Sequence, residues 1–517
     1  MFLQHHTAMT KPNDRRRPTS GRESLRAVAS LLVACSLLAA PAQAQLPTLG
    51  DPSDMNTSAE RKLGEKIARE LYRDPDYIED AVLDEYVLDI WTKLLAAAKA
   101  RGEISAEIDE RFAWKVLLGK DRMINAFTLP GAWLGLQLGL LNVTATKDEL
   151  AAVLAHELSH VTQRHISRLI TQQNRQAPWV IGAMLLGALA ASKSPEAANA
   201  MMAGGQALAM QNQLNFSRDM EREADRIGFS IMTQAGFAPQ GAVGMFDKLQ
   251  QAARLNDSGN FPYLRTHPMN TERIADMQAR HQLVARSPAA GTPDLVHAIM
   301  VGRSRVLSNP GIDVLRSYLT EADSLPAGAA RSREAGALYA AAWASAQLRD
   351  HAGAARYTAK LTALTAADPG AARLSRLLAA ELALRAGDPG KAIALIDTAS
   401  PKRPELILSS QARISNGRAA ETAQRLQTWV ALNPRDAQAW QLLASAYAAQ
   451  GQTLRAIRAE AEAQVAQLDY QAAIDRFRAA QEVARRGGAG SDHIEASIID
   501  TRARQVESLL REQAAER

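Results

Sequence analysis

Thr146-Lys147-Asp148-Glu149-Leu150-Ala151-Ala152-Val153-Leu154-Ala155-His156-Glu157-Leu158-Ser159-His160 is the stretch on which the reading of this chain turns. Thr146 and Glu149 have the spacing of a capping box, in which each side chain satisfies a backbone N–H of the first turn. They predict a helix that begins there and runs to about Ile170. Leu150, Val153, Leu154, Leu158 and Val161 recur at helical spacing and form the apolar stripe that anchors it. His156 and His160 then project from one face about one turn apart, so both imidazoles can reach a single ion. Glu157 lies beside the pair, placed to take a proton from a metal-bound water. With 10 His in 517 residues, this pattern arises by chance in roughly one such chain in a hundred, so support has to come from elsewhere in the chain.

Downstream, a second helix is expected from about Ser217 to Ala235, stopped by Gly236 with Pro239 just beyond. It carries Glu221-Arg222-Glu223-Ala224-Asp225. Catalytic zinc usually takes three protein ligands and keeps one position open. Glu221 could supply the third, while Asp225 on the same face accepts an N–H from a ligand histidine. The same spacing also describes an ordinary charged helix, so the residues alone leave both readings open. Glu223 points elsewhere and reads as a solvated surface residue. His165, on a different helix face from His160, reads as structural, and His281, His297, His351 and His493 as ordinary core or surface residues.

Upstream, helices are expected around Ser58–Tyr72 and Ala81–Ala100, a strand at Phe112–Leu118, and an extended or hairpin segment at Ala126–Gln137 around Pro130-Gly131. Trp179–Ala191 is apolar and Met201–Gly205 is rich in Met and Gly. They read as a buried helix and a loop, or as a mobile cover near the active site. From about residue 330 the chain is Ala-rich and helical. Trp440, Leu443, Ala444, Tyr447, Gly451 and Ala456 fall at the spacings of a tetratricopeptide unit, and Gly417 precedes Gly451 by 34 residues. Asp469-Tyr470-Gln471-Ala472-Ala473 suggests a further unit offset by half a repeat.

The first 44 residues read as a secretory leader: a basic start, an apolar run from Ala27 to Ala40, and Ala42-Gln43-Ala44 as the cleavage site. Leu32-Val33-Ala34-Cys35 also resembles a lipobox, which leaves lipidation at Cys35 as an alternative. Otherwise the only cysteine leaves with the leader, excluding disulfides, thiolate-bound zinc and thiol catalysis from the mature chain. The leader holds six basic and two acidic residues, so most of the net +5 departs with it and +1 remains. Nothing in that balance points to nucleic acid.

His156–His160, followed 61 residues later by the segment beginning at Glu221, is similar to the peptidase family of the HtpX membrane proteases, the CAAX prenyl proteases and the BepA-like periplasmic proteases. Asn125-Ala126-Phe127-Thr128-Leu129-Pro130-Gly131 resembles the segment that precedes the zinc helix there. A leader, no spanning helix and a C-terminal repeat region resemble the BepA-like branch. The resemblance extends over residues 55–280 and more loosely over the repeats.

It implies an α+β zincin-like domain, mostly helical with a small sheet, followed by an all-α tetratricopeptide-like domain. The expected layout is peptidase over 45–300, linker over 301–330 and repeats over 331–517. By family pattern one zinc ion is held by His156, His160 and Glu221, with Glu157 as general base. His267, in Arg265-Thr266-His267-Pro268-Met269, corresponds to a histidine that can take the fourth position and hold the enzyme latent. It could equally be a loop histidine packed by Pro268 or capping a helix. Arg273 follows at family-like spacing and could steady a substrate carbonyl or the oxyanion. The implied function is a zinc-dependent endopeptidase of the bacterial periplasm, acting in outer-membrane protein assembly and quality control. Unfolded or misassembled envelope proteins would be its substrates, and the repeats would meet the assembly machinery, with at most peripheral membrane association. Two other readings compete: a chaperone-like assembly factor with a latent zinc site, and a scaffold closed by a structural four-ligand zinc.

Overall fold

Asn56 opens the first helix by accepting a hydrogen bond from Ala59 N–H at 2.8 Å, and α1 runs over Thr57–Arg73. The computed structural model describes residues 55–173, 218–254, 262–283, 294–308, 310–486 and 492–515. The leader with Cys35, and the segments 179–191 and 201–205, lie outside the described residues. A two-residue strand β1 (Tyr77–Ile78) leads to α2 (Ala81–Ala100), capped by Asp80, then to the short α3 (Ala106–Arg111). Strands β2 (Lys115–Gly119), β3 (Ala126–Leu129) and β4 (Trp133–Gln137) follow, then α4 (Leu138–Val143).

The strands form one sheet in the order β1-β2-β4-β3. β3 and β4 make an antiparallel hairpin whose turn places Gly131 and Ala132 in the left-handed region, at φ 72° and 62°. β2 runs parallel to β4, with Lys115 opposite Trp133 and Gly119 opposite Gln137. The strand expected from Phe112 begins only at Lys115, because Trp114 at φ 49° breaks the extended run before it.

Helix α5 (Lys147–Thr162) is buried along nearly its whole length. The capping box is altered in detail. Thr146 Oγ1 accepts from Glu149 N–H at 3.2 Å, but the Glu149 carboxylate reaches back to the N–H of Ala145. The helix also ends earlier than its pattern predicts. Arg164 turns to φ 51°, and a separate helix α6 (His165–Gln173) starts after it. Around α5 pack β3, α2, α7 (Arg218–Gln234) and α8 (Gln240–Arg254). The single turn α9 (Tyr263–Thr266) and α10 (Thr271–Gln282) complete this half. Gly236 closes α7 at φ 86°, as its position after the periodic run predicts.

The remainder is helical among the described residues: α11 (Leu295–Leu307), α12 (Ile312–Asp323), α13 (Arg331–Gln347), α14 (His351–Thr365), α15 (Pro369–Arg385) and α16 (Pro389–Leu395). Then come α17 (Arg403–Ser415), α18 (Ala419–Leu432), α19 (Ala437–Ala448), α20 (Thr453–Ala466), α21 (Tyr470–Arg486) and α22 (His493–Ala515). The span 301–330 thus carries the second part of α11 and all of α12. α19 begins 34 residues after α17, and α20 begins 34 after α18. Gly417 and Gly451 turn the chain at equivalent places, at φ 76° and 70°. α21 starts 33 residues after α19, so the segment at Asp469 opens the next helix pair nearly in register rather than half a repeat out.

The described residues form one compact unit, and an ion network at the start of α2 ties its two halves together. Arg303 donates from Nε to Asp80 at 2.8 Å and from Nη1 and Nη2 to Glu381 at 2.7 Å, while Tyr339 OH accepts at 2.7 Å. Its guanidinium also lies 4.8 Å from the Trp343 ring centre. Arg373 bridges Glu85 and Glu405, and Arg403 bridges Asp84 and Asp436. Each arginine is therefore held between one carboxylate at the start of α2 and one from the C-terminal helices. Arg303→Met would leave Asp80 and Glu381 without their counter-charge, at an expected cost of about 3–5 kcal/mol. Chemical denaturation measures it, and an unchanged midpoint would show this clasp to be dispensable.

Candidate metal centre

Two helices bring the site together. α5 presents His156, Glu157 and His160, and α7 crosses it presenting Glu221 and Asp225. The crossing is close because Gly228 faces α5. A Cβ there would stand 3.0 Å from the backbone of Ala155 and His156. On the other side, Thr128 of β3 donates from Oγ1 to Glu157 Oε2 at 3.2 Å, which couples the edge strand of the sheet to the carboxylate. His267, at the end of α9, closes the cluster, its ring 4.6 Å from that of buried Tyr263.

Among the described residues, His156, His160, Glu221 and His267 form a buried group whose ligand atoms all lie within 4.8 Å of one another. His156 Nε2 stands 3.0 Å from His160 Nε2 and 3.4 Å from His267 Nδ1. Glu221 Oε1 is 3.0 Å from His267 Nδ1 and 3.5 Å from His160 Nε2. Zinc bonds of ~2.0–2.1 Å in a tetrahedron put neighbouring ligand atoms about 3.3 Å apart. The four separations above, 3.0 to 3.5 Å, bracket that value. His156 Nδ1 lies 2.9 Å from Asp225 Oδ1 and donates to it, which turns Nε2 inward to face another ring nitrogen. Glu157 Oε1, fully buried, has no hydrogen-bond partner among the described residues. A buried set of three imidazoles and one carboxylate, converging within 4.8 Å, fits a divalent cation of zinc's preferences.

The expected residues therefore converge, with three differences of role. Arg273 is buried and engaged within the protein. It donates from Nε and Nη2 to Asp225 at 2.7 and 2.8 Å and from Nη1 to Pro268 O at 2.9 Å, and Nη1 lies 2.8 Å from Glu221 Oε2. This geometry makes it a counter-charge for the two carboxylates rather than a donor held ready for substrate. Glu223 is not a free surface residue but an acceptor for Arg168 and His165. His165 in turn contacts His160, because the turn at Arg164 swings it back. No Gly or Pro marks that turn in the sequence, which is why helical periodicity missed both residues.

Burial pushes the Glu157 carboxyl above its ordinary value, against the pull of His267 and His156, a direction that would suit a general base working near neutral pH. Burial would likewise raise Asp225, but hydrogen bonds from Arg273 and His156 hold it below the usual carboxylate range. Burial and the neighbouring His156 keep His160 well below the ordinary histidine value, hence neutral.

Comparison with other proteins accords with this geometry. Residues 90–281 match peptidase family M48, a span that takes in the whole cluster. The chain is 31% identical over 449 residues to the beta-barrel assembly-enhancing protease of Escherichia coli (strain K12), covering 84% of this chain and 88% of that protein. It is 30% identical over 428 residues to the protein of the same description in Yersinia pestis, covering 82% and 84%. The mitochondrial metalloendopeptidase OMA1 of Arabidopsis thaliana is 32% identical over 195 residues, covering 38% of this chain and 36% of that protein.

The helix crossing gives a direct prediction. Gly228→Val should drive α7 away from α5, lowering stability by about 1–3 kcal/mol. A thermal melt reads this as a lowered midpoint, and an unchanged Tm would contradict the close approach.

Proposed function

The chain belongs to peptidase family M48, a metallopeptidase family, and from that premise we propose a zinc-dependent endopeptidase of the bacterial periplasm acting in outer-membrane protein assembly and quality control. The observation that carries the metal reading is the pair of ring nitrogens, His156 Nε2 and His160 Nε2, facing each other at 3.0 Å inside a buried cluster. Such a pair either shares one proton or flanks a cation, and Glu221 and His267 beside it supply the further ligands that a cation takes. The setting rests on two relatives named as beta-barrel assembly-enhancing proteases, which match over most of their length. Among the described residues no helix is long and apolar enough to cross a membrane.

His156, His160 and Glu221 are the residues that would hold one zinc ion. Zinc, when bound, supplies a Lewis acid that polarises the scissile carbonyl and acidifies water. Glu157 does the proton work. Its Oε1 takes the proton of the attacking water and passes it to the leaving amine, while Thr128 holds Oε2 in place. Asp225 keeps the His156 ring turned with Nε2 inward, and Arg273 balances the charge of Asp225 and Glu221.

His267 makes the resting enzyme latent. It fills the fourth corner of the cluster and lies 3.4 Å from Glu157 Oε1, where a substrate carbonyl and water would have to enter. The C-terminal helix pairs serve as the docking region for unfolded or misassembled envelope proteins and for the outer-membrane assembly machinery.

Proteolysis of an unfolded protein tests this directly. Glu157→Gln should keep its zinc and lose about 10²–10⁴-fold in turnover. Full activity in that variant would overturn the endopeptidase reading and favour a chaperone-like role. His267→Ala should cleave faster than the parent, and a slower variant would remove the case for latency. Chelation should stop turnover with the far-UV circular dichroism preserved. Loss of that signal would instead indicate a structural zinc.

A further inference from the structure

His156 and His160 are supported differently. His156 donates directly to a carboxylate, Asp225. The Nδ1 of His160 meets another histidine, His165 Nδ1, at 2.8 Å, with ring centres 4.9 Å apart. His165 Nε2 lies 3.0 Å from Glu223 Oε2, and Glu223 also accepts from Arg168 Nη1 at 2.9 Å. We propose that His165 and Glu223 are positioning residues that set the tautomer and ring orientation of His160 for metal binding.

The argument is one of donors and acceptors. An ionised carboxylate only accepts, so His165 Nε2 carries the hydrogen in its contact with Glu223. The other nitrogen of the neutral His165 ring is then an acceptor. His160 Nδ1–H donates to it, which leaves the lone pair of His160 on Nε2. That nitrogen faces His156 Nε2 and Glu221 Oε1. Glu223 thus does for His160, through one intervening imidazole, what Asp225 does for His156 by direct contact.

The backbone is shaped for this contact. Had α5 continued, His165 would sit well around the helix from His160. Instead Arg164 adopts φ 51°, a conformation uncommon for a residue with a side chain, and α6 starts in a new direction with His165 as its first residue. The turn is tied down from outside. Arg164 donates from Nε to Glu60 at 3.0 Å and from Nη2 to Ser167 Oγ at 3.1 Å and to Met55 O. His165 is fully buried, whereas Glu223 is only partly so.

The inference rests on the zinc reading, and its test separates the two. Zinc affinity of the full chain is measured by competition with a chromophoric chelator for the parent, His165→Phe, His165→Gln and Glu223→Leu. His165→Phe removes the relay while keeping a planar ring. Its affinity should fall about 10–100-fold. In His165→Gln the amide oxygen can accept from His160 and the amide nitrogen can donate to Glu223, so affinity should stay near the parental value. Glu223→Leu, at a partly exposed position that spares the core, should weaken zinc binding while the thermal midpoint of the metal-free protein stays close to the parent's. That variant decides the matter if His165→Phe fails to fold. Parental affinity in both His165→Phe and Glu223→Leu would overturn the relay. Equal losses in His165→Phe and His165→Gln would also overturn it, since packing alone would then explain the effect. A parent that binds no zinc would instead bring down the metal reading on which the relay stands.

Discussion

The structure depends on placing charge where there is no water to support it. α5 is buried nearly end to end, yet it delivers two imidazoles and a carboxylate into the same small volume as Glu221, Asp225 and His267. Burying such groups is costly unless each finds a partner. The local architecture follows from that requirement. Gly228 lets α7 close on α5, Arg273 neutralises two carboxylates at once, and β3 supplies Thr128 to one oxygen of Glu157. What these contacts leave unsatisfied lies where a cation and its chemistry belong.

The same solution recurs where the two halves of the chain meet. Arg303, Arg373 and Arg403 each sit between two carboxylates in forked geometry, the arrangement the planar guanidinium suits best. Lysine could not replace them. Because α2 touches both α5 and α7, the clasp at its start and the metal cluster are joined by one rigid element. The C-terminal helices are therefore part of the support of the site as well as a surface for partners.

Much of this was legible from local pattern. The start of α5, the ends of α2 and α7, the hairpin around Pro130-Gly131 and the 34-residue spacing of the helix pairs all follow from capping, periodicity and turn chemistry. The four residues of the cluster were named on spacing and family resemblance. What escaped was whatever depends on a single dihedral angle or on distant partners. The turn at Arg164 has no Gly or Pro to announce it, so His165 and Glu223 were misplaced with it. Arg273 stood at a recognisable position, but only the fold reveals that its donors are already engaged with Asp225 and Pro268. The clasp was invisible for a further reason. Asp80 and Glu381 share Arg303 although hundreds of residues separate them, and no local pattern encodes such a meeting.

That separation has a consequence for how the molecule comes into being. Contacts between residues far apart in the chain close large loops, and such topologies assemble slowly. A polypeptide made from its N-terminus presents Asp80, Asp84 and Glu85 long before Arg303, Arg373 and Arg403 exist to meet them. Until those arginines arrive, the three acidic groups at the head of α2 lack these partners, and the helix braced against α5 and α7 is incompletely anchored. A nascent chain cut short within its second half would thus carry every residue of the metal cluster without the full frame that steadies it. The frame around the cluster is in this way complete only when the whole chain is.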